Sequence, residues 1–287
     1  MIGNVPYHRN MSESRNRHPV APAPSRSSRS IDVDGASIYV EEHGDGPGII
    51  LIHGGLSTSA DWAPLIPGLR DGLRVVTPDS RGHGRSTNPA GRLSYAAIAD
   101  DIAAVIAALG LHRPVVAGWS DGGQVTLELG VRHPDAASAL IVGAAYPDFD
   151  AHGLRERHRE LLGADGTGTP NLAYLDAELG AFAQEMRDRH AGGEQRWSAL
   201  VHQSAGMWLG YEGLRPEQLR AIRTPVLVLA GDRDELIPLD LSVALYRALP
   251  VAELAVCPSL GHEGPSPERA AVLTALIRDF AGRHQQP

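Results

Sequence analysis

Short apolar runs that alternate with segments of helical period constrain this chain more than any other feature. Gly48–Ile52, Pro114–Gly118 and Ala139–Val142 are each too short for a stable helix and nearly continuous in Ile, Val, Leu and Ala, and Arg74–Thr77 also reads as a strand. Runs of that kind are strands buried on both faces. Between them, Tyr95, Ile98, Ile102, Val105, Ile106 and Leu109 repeat at spacings of three and four, which predicts a helix over Tyr95–Leu109. A second helix is expected from Gly122 to His133, where Pro134 stops it. Pro225–Leu229, Leu241–Leu249, Ala252–Val256 and Arg269–Phe280 continue the series as strand, helix, strand, helix. That order specifies an α/β fold, a mostly parallel sheet with helices on both faces.

The series has a preface and an interruption. Ile31–Val33 and Ser37–Val40 flank Asp34-Gly35, a dipeptide suited to a two-residue hairpin turn, so two antiparallel strands are expected at the sheet edge. Residues 1–30 carry five arginines among Ser and Pro with no apolar period, and read as a tail that cannot offset the entropy of ordering. Met11 lies within it and opens an alternative start. From 146 to 220 strand signals cease, and the segment is helical, polar and broken at Gly163–Gly168. It reads as a helical cap, leaving 31–145 and 221–287 as the core. Phe149, Tyr174, Phe182, Trp197, Trp208 and Tyr211 either face inward from this cap or glue it to the core.

Charge and composition narrow the partners. A net charge of −8 offers no basic field for nucleic acid. No run approaches the ~18 apolar residues of a membrane helix, and the N-terminus lacks the apolar stretch of a secretory signal. The single cysteine, Cys257, forms no internal disulfide and reads as a small buried hydrophobe at a strand end. These features predict a cytoplasmic protein without nucleic-acid or membrane partners. The histidines show no metal-ligand spacing, and no phosphate-binding or dinucleotide motif is present, so neither metal nor cofactor is expected. Oligomeric state is open.

The residues that point to chemistry start at Gly118-Trp119-Ser120-Asp121-Gly122, directly between a buried strand and a helix. A serine on such a turn projects above the sheet, flanked by glycines that permit close strand–helix contact. Its hydroxyl is a poor nucleophile without a base, and the base needs an orienting acid. Strand Pro225–Leu229 leads to Gly231-Asp232-Arg233-Asp234, and strand Ala252–Val256 to Gly261-His262-Glu263. Serine, acid and histidine are therefore expected to leave the carboxyl ends of neighbouring strands, in the order Ser, Asp, His.

On these residues the chain resembles the α/β-hydrolase superfamily from about Ile31 to Phe280. His53-Gly54-Gly55 is similar to that family's oxyanion-hole strand end, and Asp79-x-Arg81-Gly82-His83-Gly84-x-Ser86 to its loop after the next strand. The resemblance implies Ser120 as nucleophile, His262 as base and Asp234 as acid, with Asp232 forming the turn. It implies an oxyanion hole from the backbone N–H groups of Asp121 and Gly55, with Leu56 as the adjacent alternative. His53 and His83 are expected to hydrogen-bond loops together. Leu56, Trp119, Tyr146 and Trp208 are expected to line the pocket.

The reaction implied is hydrolysis of a small carboxylic ester or lactone through an acyl-enzyme. A triad of this kind also serves C–C hydrolases, perhydrolases and lyases of similar fold, and a non-catalytic binding protein is a third class. Serine at 120 argues against epoxide and halide chemistry, for which relatives use aspartate. Asp121 has two readings: a carboxylate on the pocket floor that attracts cationic substrates such as amino-acid esters, or a side chain capping its helix or bonded to a neighbouring loop.

Overall fold

The structure, a computed structural model, describes residues 27–148 and 153–285. Met11 and Phe149 lie outside them. Eight strands form one sheet: β1 (Ser27–Val33), β2 (Ala36–His43), β3 (Gly48–Ile52), β4 (Arg74–Pro78), β5 (Val115–Trp119), β6 (Ala139–Gly143), β7 (Val226–Gly231) and β8 (Ala252–Cys257). Their spatial order is β1-β2-β4-β3-β5-β6-β7-β8, with β2 antiparallel to its neighbours and β3 to β8 mutually parallel. The β1–β2 turn is the expected two-residue one, with Asp34 and Gly35 both at positive φ (44° and 73°).

The core helices are α1 (Ile66–Leu69), α2 (Tyr95–Ala108), α3 (Asp121–Arg132), α9 (Leu239–Ala248) and α10 (Ala270–His284), after the insertion described below. Period-two alternation along the buried strands divides them between the two faces. Ile50, Ile52, Val116, Val142 and Val228 pack with Ile102 of α2, Val125 of α3 and Leu245 of α9. Ile49, Leu51, Val115, Ile141 and Leu227 pack with Leu69 of α1 and Phe280 of α10. Each strand thus serves two apolar layers, which is why its sequence shows no polar alternation.

The expected tail is corrected at its end. Ser27–Ser30 are not a tail but the first half of β1, in register with Glu42 to Tyr39. The segment lies exposed at the sheet edge, so it needs only backbone pairing and the ion pair of Arg29 with Glu42, and carries no apolar signal.

Between β6 and β7 the described residues form α4 (Leu154–Leu162), α5 (Leu172–Leu179), α6 (Ala181–Arg189), α7 (Gly193–Gly210) and α8 (Pro216–Ala221). Gly163 ends α4 at φ 54°. Among the described residues no helix is long and apolar enough to cross a membrane.

Candidate active site

The turn from β5 to α3 forces Ser120 into an unusual backbone conformation, φ 57° and ψ −119°, where a side chain is rarely found. Crowding around its neighbours explains how this is sustained. A Cβ on Gly118 would lie 2.0 Å from the carbonyl oxygen of Gly122, and one on Gly122 would lie 2.2 Å from that of Ile52. Glycine at both positions lets α3 press against β3 and β5. Ser120 becomes the N-cap of α3, and Asp121 its first residue. The N–H of Asp121 is therefore one of the donors that a helix start leaves without an intrahelical acceptor, at the positive end of the dipole.

From this turn a hydrogen-bonded chain runs across the sheet top. Ser120 Oγ lies 3.0 Å from His262 Nε2, and His262 Nδ1 lies 2.9 Å and 3.1 Å from the two carboxylate oxygens of Asp234. Asp234 is buried, and its Oδ1 also accepts from the N–H groups of Leu236 (3.0 Å) and Ile237 (2.7 Å), which fix the carboxylate. Asp232 is elsewhere engaged: its Oδ1 accepts from Ser259 N–H at 2.5 Å and ties the β7 loop to the β8 loop. The expectation of neighbouring strands is corrected for the serine: β7 and β8, which carry the acid and the histidine, are adjacent, but β6 separates β5 from β7.

Packing around His262 disfavours its charged form, but the Asp234 carboxylate outweighs that and raises the imidazole pKa above its ordinary 6.5. Trp119 holds the same loop from behind, its indole N–H donating to the His262 carbonyl at 3.1 Å. The indole leaves no room for a side chain at Gly143 or Gly264, where a Cβ would meet the ring at 2.2 Å and 2.6 Å.

His53 and His83 behave as expected of loop-bracing residues. His53 Nε2 accepts from Ser80 N–H at 2.9 Å, and its Nδ1 lies 2.7 Å from the Gly54 carbonyl. His83 Nδ1 sits 3.1 Å from the Arg81 carbonyl, and burial drives the His83 pKa well below its usual value. The rest of that motif is scaffolding too. Asp79 accepts from the N–H groups of Ser59 and Arg85, both at 2.9 Å, while Arg81 forms a buried two-point pair with Asp101 of α2.

The loop after β3 closes the other side. A Cβ on Gly54 would touch Ser120 Cβ at 3.4 Å, and one on Gly55 would collide with both Asp121 Oδ2 and Trp208 Cζ2 at 2.6 Å. Leu56 continues the turn at φ 54°. Asp121 combines its two expected readings and departs from both. It lines the cavity, yet Oδ1 accepts from Tyr95 Oη at 2.7 Å and Oδ2 from Trp208 Nε1 at 2.8 Å. Its partners are thus side chains of α2 and α7, neither its own helix nor a loop. Burial raises its pKa against the opposing pull of those two hydrogen bonds.

These groups open onto a cavity of about 840 Å³ lined by Ser120, His262, Gly55, Asp121 and residues of the inserted helices. Leu56, Trp119 and Trp208 are among the residues that line it. Tyr146 does not line it, which corrects the expectation. It is buried behind the wall, beneath Asp121 and Tyr95, whose charge and hydroxyl share its surroundings, and its carbonyl accepts from Gln124 Nε2 at 3.2 Å. Of the inserted aromatics, Phe182 and Trp208 reach the cavity. Trp197 is wholly buried beside His190, and Tyr211 donates to Glu128 at 3.0 Å while packing edge-on against Tyr95.

The sequence reading missed His158 of α4 and Asp61 and Trp62 of the loop after β3, all in the cavity wall. A signal for His158 existed, since Leu154, His158 and Leu162 form the buried stripe of α4 at a spacing of four. Burial lowers the His158 pKa to about 4, so the ring is neutral near pH 7. Among the described residues no group of three or more His, Cys, Asp or Glu has the arrangement of a metal site.

Comparison with known proteins places this arrangement in a family. The model of the alpha/beta hydrolase family matches residues 49–276. The protein named "Putative carbamate hydrolase RutD" of Caulobacter sp. strain K31 is 34% identical over 88% of this chain and 100% of its own length. A bifunctional esterase/perhydrolase of Acinetobacter calcoaceticus is 30% identical over 85% of this chain and 97% of its own. A thermophilic esterase of Thermogutta terrifontis superposes with a TM-score of 0.70 at 25% identity, covering 90% of this chain and all of that one. With family match, relatives and sheet order agreeing, this chain is a hydrolase belonging to the alpha/beta hydrolase family.

Proposed function

We propose that the chain is a serine hydrolase that cleaves a small carboxylic ester or lactone through an acyl-enzyme. The observation that carries this reading is the continuous hydrogen-bonded chain Ser120–His262–Asp234 at the floor of the cavity. As Ser120 Oγ attacks the substrate carbonyl, its proton passes to His262 Nε2. Asp234 stabilises the imidazolium and fixes Nδ1 as the protonated nitrogen. The N–H groups of Asp121 and Gly55 receive the oxyanion, each worth on the order of 10²–10³ in rate. His262 then protonates the leaving alcohol, or the ring alkoxide of a lactone. It next takes a proton from water as that water attacks the acyl-enzyme, and returns it to Ser120.

The relatives support acyl chemistry, since one is named as an esterase and perhydrolase and another as a carbamate hydrolase. A carbamate would pass through a carbamoyl group on the same serine, so it belongs in the test. The test is a panel of p-nitrophenyl esters of increasing chain length, lactones and an aryl carbamate, with fluorophosphonate labelling to locate the reactive residue. Ester or lactone turnover, label on Ser120 and loss of turnover by roughly 10⁶-fold in a folded Ser120→Ala variant are expected. Near-wild-type turnover by that variant sinks the mechanism, and a carbamate turned over to the exclusion of esters replaces the substrate.

A further inference from the structure

Asp121 is a junction of three parts of the molecule. Its backbone begins α3 beside the nucleophile, its Oδ1 takes the hydroxyl of Tyr95 from core helix α2, and its Oδ2 takes the indole N–H of Trp208 from inserted helix α7. The carboxylate and the indole then stand side by side against Gly55, leaving no space for even a methyl group there. Both backbone groups assigned to the oxyanion hole therefore abut one hydrogen-bonded pair, and one member of that pair belongs to the insertion.

Resting on the hydrolase reading above, we infer that Trp208 is a positioning residue for the oxyanion hole: its hydrogen bond to Asp121 locks α7 to the nucleophile turn and to Gly55. The insertion on this view does more than roof the cavity. Without the indole N–H, the Asp121 side chain keeps only Tyr95, and the surface that backs Gly55 loses its fixed edge. Such a loss acts on a transition state that needs its donors in place before reaction, and leaves ground-state binding of a small acyl group nearly untouched.

The experiment is steady-state kinetics on p-nitrophenyl acetate, whose acyl group is too small to use the apolar surface of the cavity. It compares the wild type, Trp208→Phe, Asp121→Ala, which removes the acceptor, and the double variant, with thermal melting to check folding. Trp208→Phe keeps an aromatic ring and removes the donor together with part of the indole surface, and the double variant separates the loss of the bond from the loss of that surface. Roughly tenfold lower kcat at unchanged KM is expected for each single variant, below the ~10²-fold cost of a 1 Å misplacement. The double variant should be no worse than Asp121→Ala alone, because removing the acceptor already breaks the bond that Trp208→Phe breaks. Wild-type kcat in Trp208→Phe, a change confined to KM, or additive losses would each overturn the inference. Should Trp208→Phe fail to fold, Asp121→Ala decides alone: lower kcat at unchanged KM supports the lock, and wild-type kcat removes it. Wild-type protein inert toward every ester and unlabelled by fluorophosphonate would fail the hydrolase reading instead, a distinguishable result.

Discussion

The carboxyl ends of β5, β7 and β8 and the inserted helices α4 to α7 wall the same cavity, yet they hold their side chains by opposite means. On the strand side, position follows from backbone. Ser120 stands where it does because Gly118 and Gly122 allow carbonyl contacts that any Cβ would destroy, and Asp234 is fixed by two N–H groups of its own loop. On the helical side, position follows from side chains packed on side chains. His158 leans toward Trp208 at 5.5 Å between ring centres, and Trp208 hangs on the carboxylate of a core residue. Backbone-built sites are read from short motifs, because the motif is the geometry. Packed sites are not, since any of several rings satisfies the same amphipathic pattern.

That contrast is breakable, most severely at the acid. If backbone fixation makes Asp234 the functional carboxylate, Asp234→Asn should lower kcat by about 10⁴-fold, by analogy with the serine-protease acid whose replacement is the known worked case. Asp232→Asn should cost less than about tenfold, since its bond is to Ser259 N–H and an amide oxygen still accepts. Ester kinetics on the two variants check this, and equal losses would erase the distinction between the two aspartates.

The next effect falls on stability and belongs to the helical side. Trp197 has no exposed surface and lies away from the cavity, so Trp197→Ala should destabilise the fold by about 3–5 kcal/mol. Acyl-chain preference should be unchanged at a temperature where the variant is folded. Denaturant unfolding beside an ester panel reads both quantities, and altered preference would place Trp197 among the substrate contacts after all.

The pH dependence sharpens the strand side. On the proposed mechanism neutral His262 accepts the serine proton, so activity should rise with pH as the imidazole loses its own proton. Because Asp234 raises that pKa, the acid limb of kcat/KM should centre above pH 6.5, and in Asp234→Asn it should move lower as the attraction disappears. A limb that stays in place in the variant would show that another group titrates.

The smallest expected effect is again in the insertion. Phe182 lines the cavity and is only partly buried, so Phe182→Ala should raise KM for long acyl chains a few-fold, on the order of 1 kcal/mol, and leave acetate esters unaffected. An equal effect on acetate would mean that Phe182 supports the fold rather than the substrate.

The legible part of this protein is the part governed by local rules. The strand and helix series, the Asp34-Gly35 turn, the Ser120 turn and the order Ser, Asp, His follow from periodicity, turn chemistry and chain direction, and the structure reproduces them within one or two residues at most boundaries. What escaped was governed by neighbours distant in sequence. Ser27–Ser30 join the sheet because Glu42 and its strand lie alongside, a fact absent from four polar residues. Tyr146 points into the wall behind Asp121 instead of into the cavity, and nothing in its own sequence context separates those two outcomes.

Sequence by itself determined the architecture, the Ser120 turn and the order in which Ser120, Asp234 and His262 follow one another, because strand periodicity and turn chemistry are legible in short runs of residues. Tertiary structure alone decided which aromatic rings face the cavity, that β6 stands between the serine and its acid, and that Asp121 is spent on Tyr95 and Trp208. The reason is physical: a carboxylate on a helix start accepts whichever donor the fold brings near, and here the donors come from 26 positions before it and 87 after it.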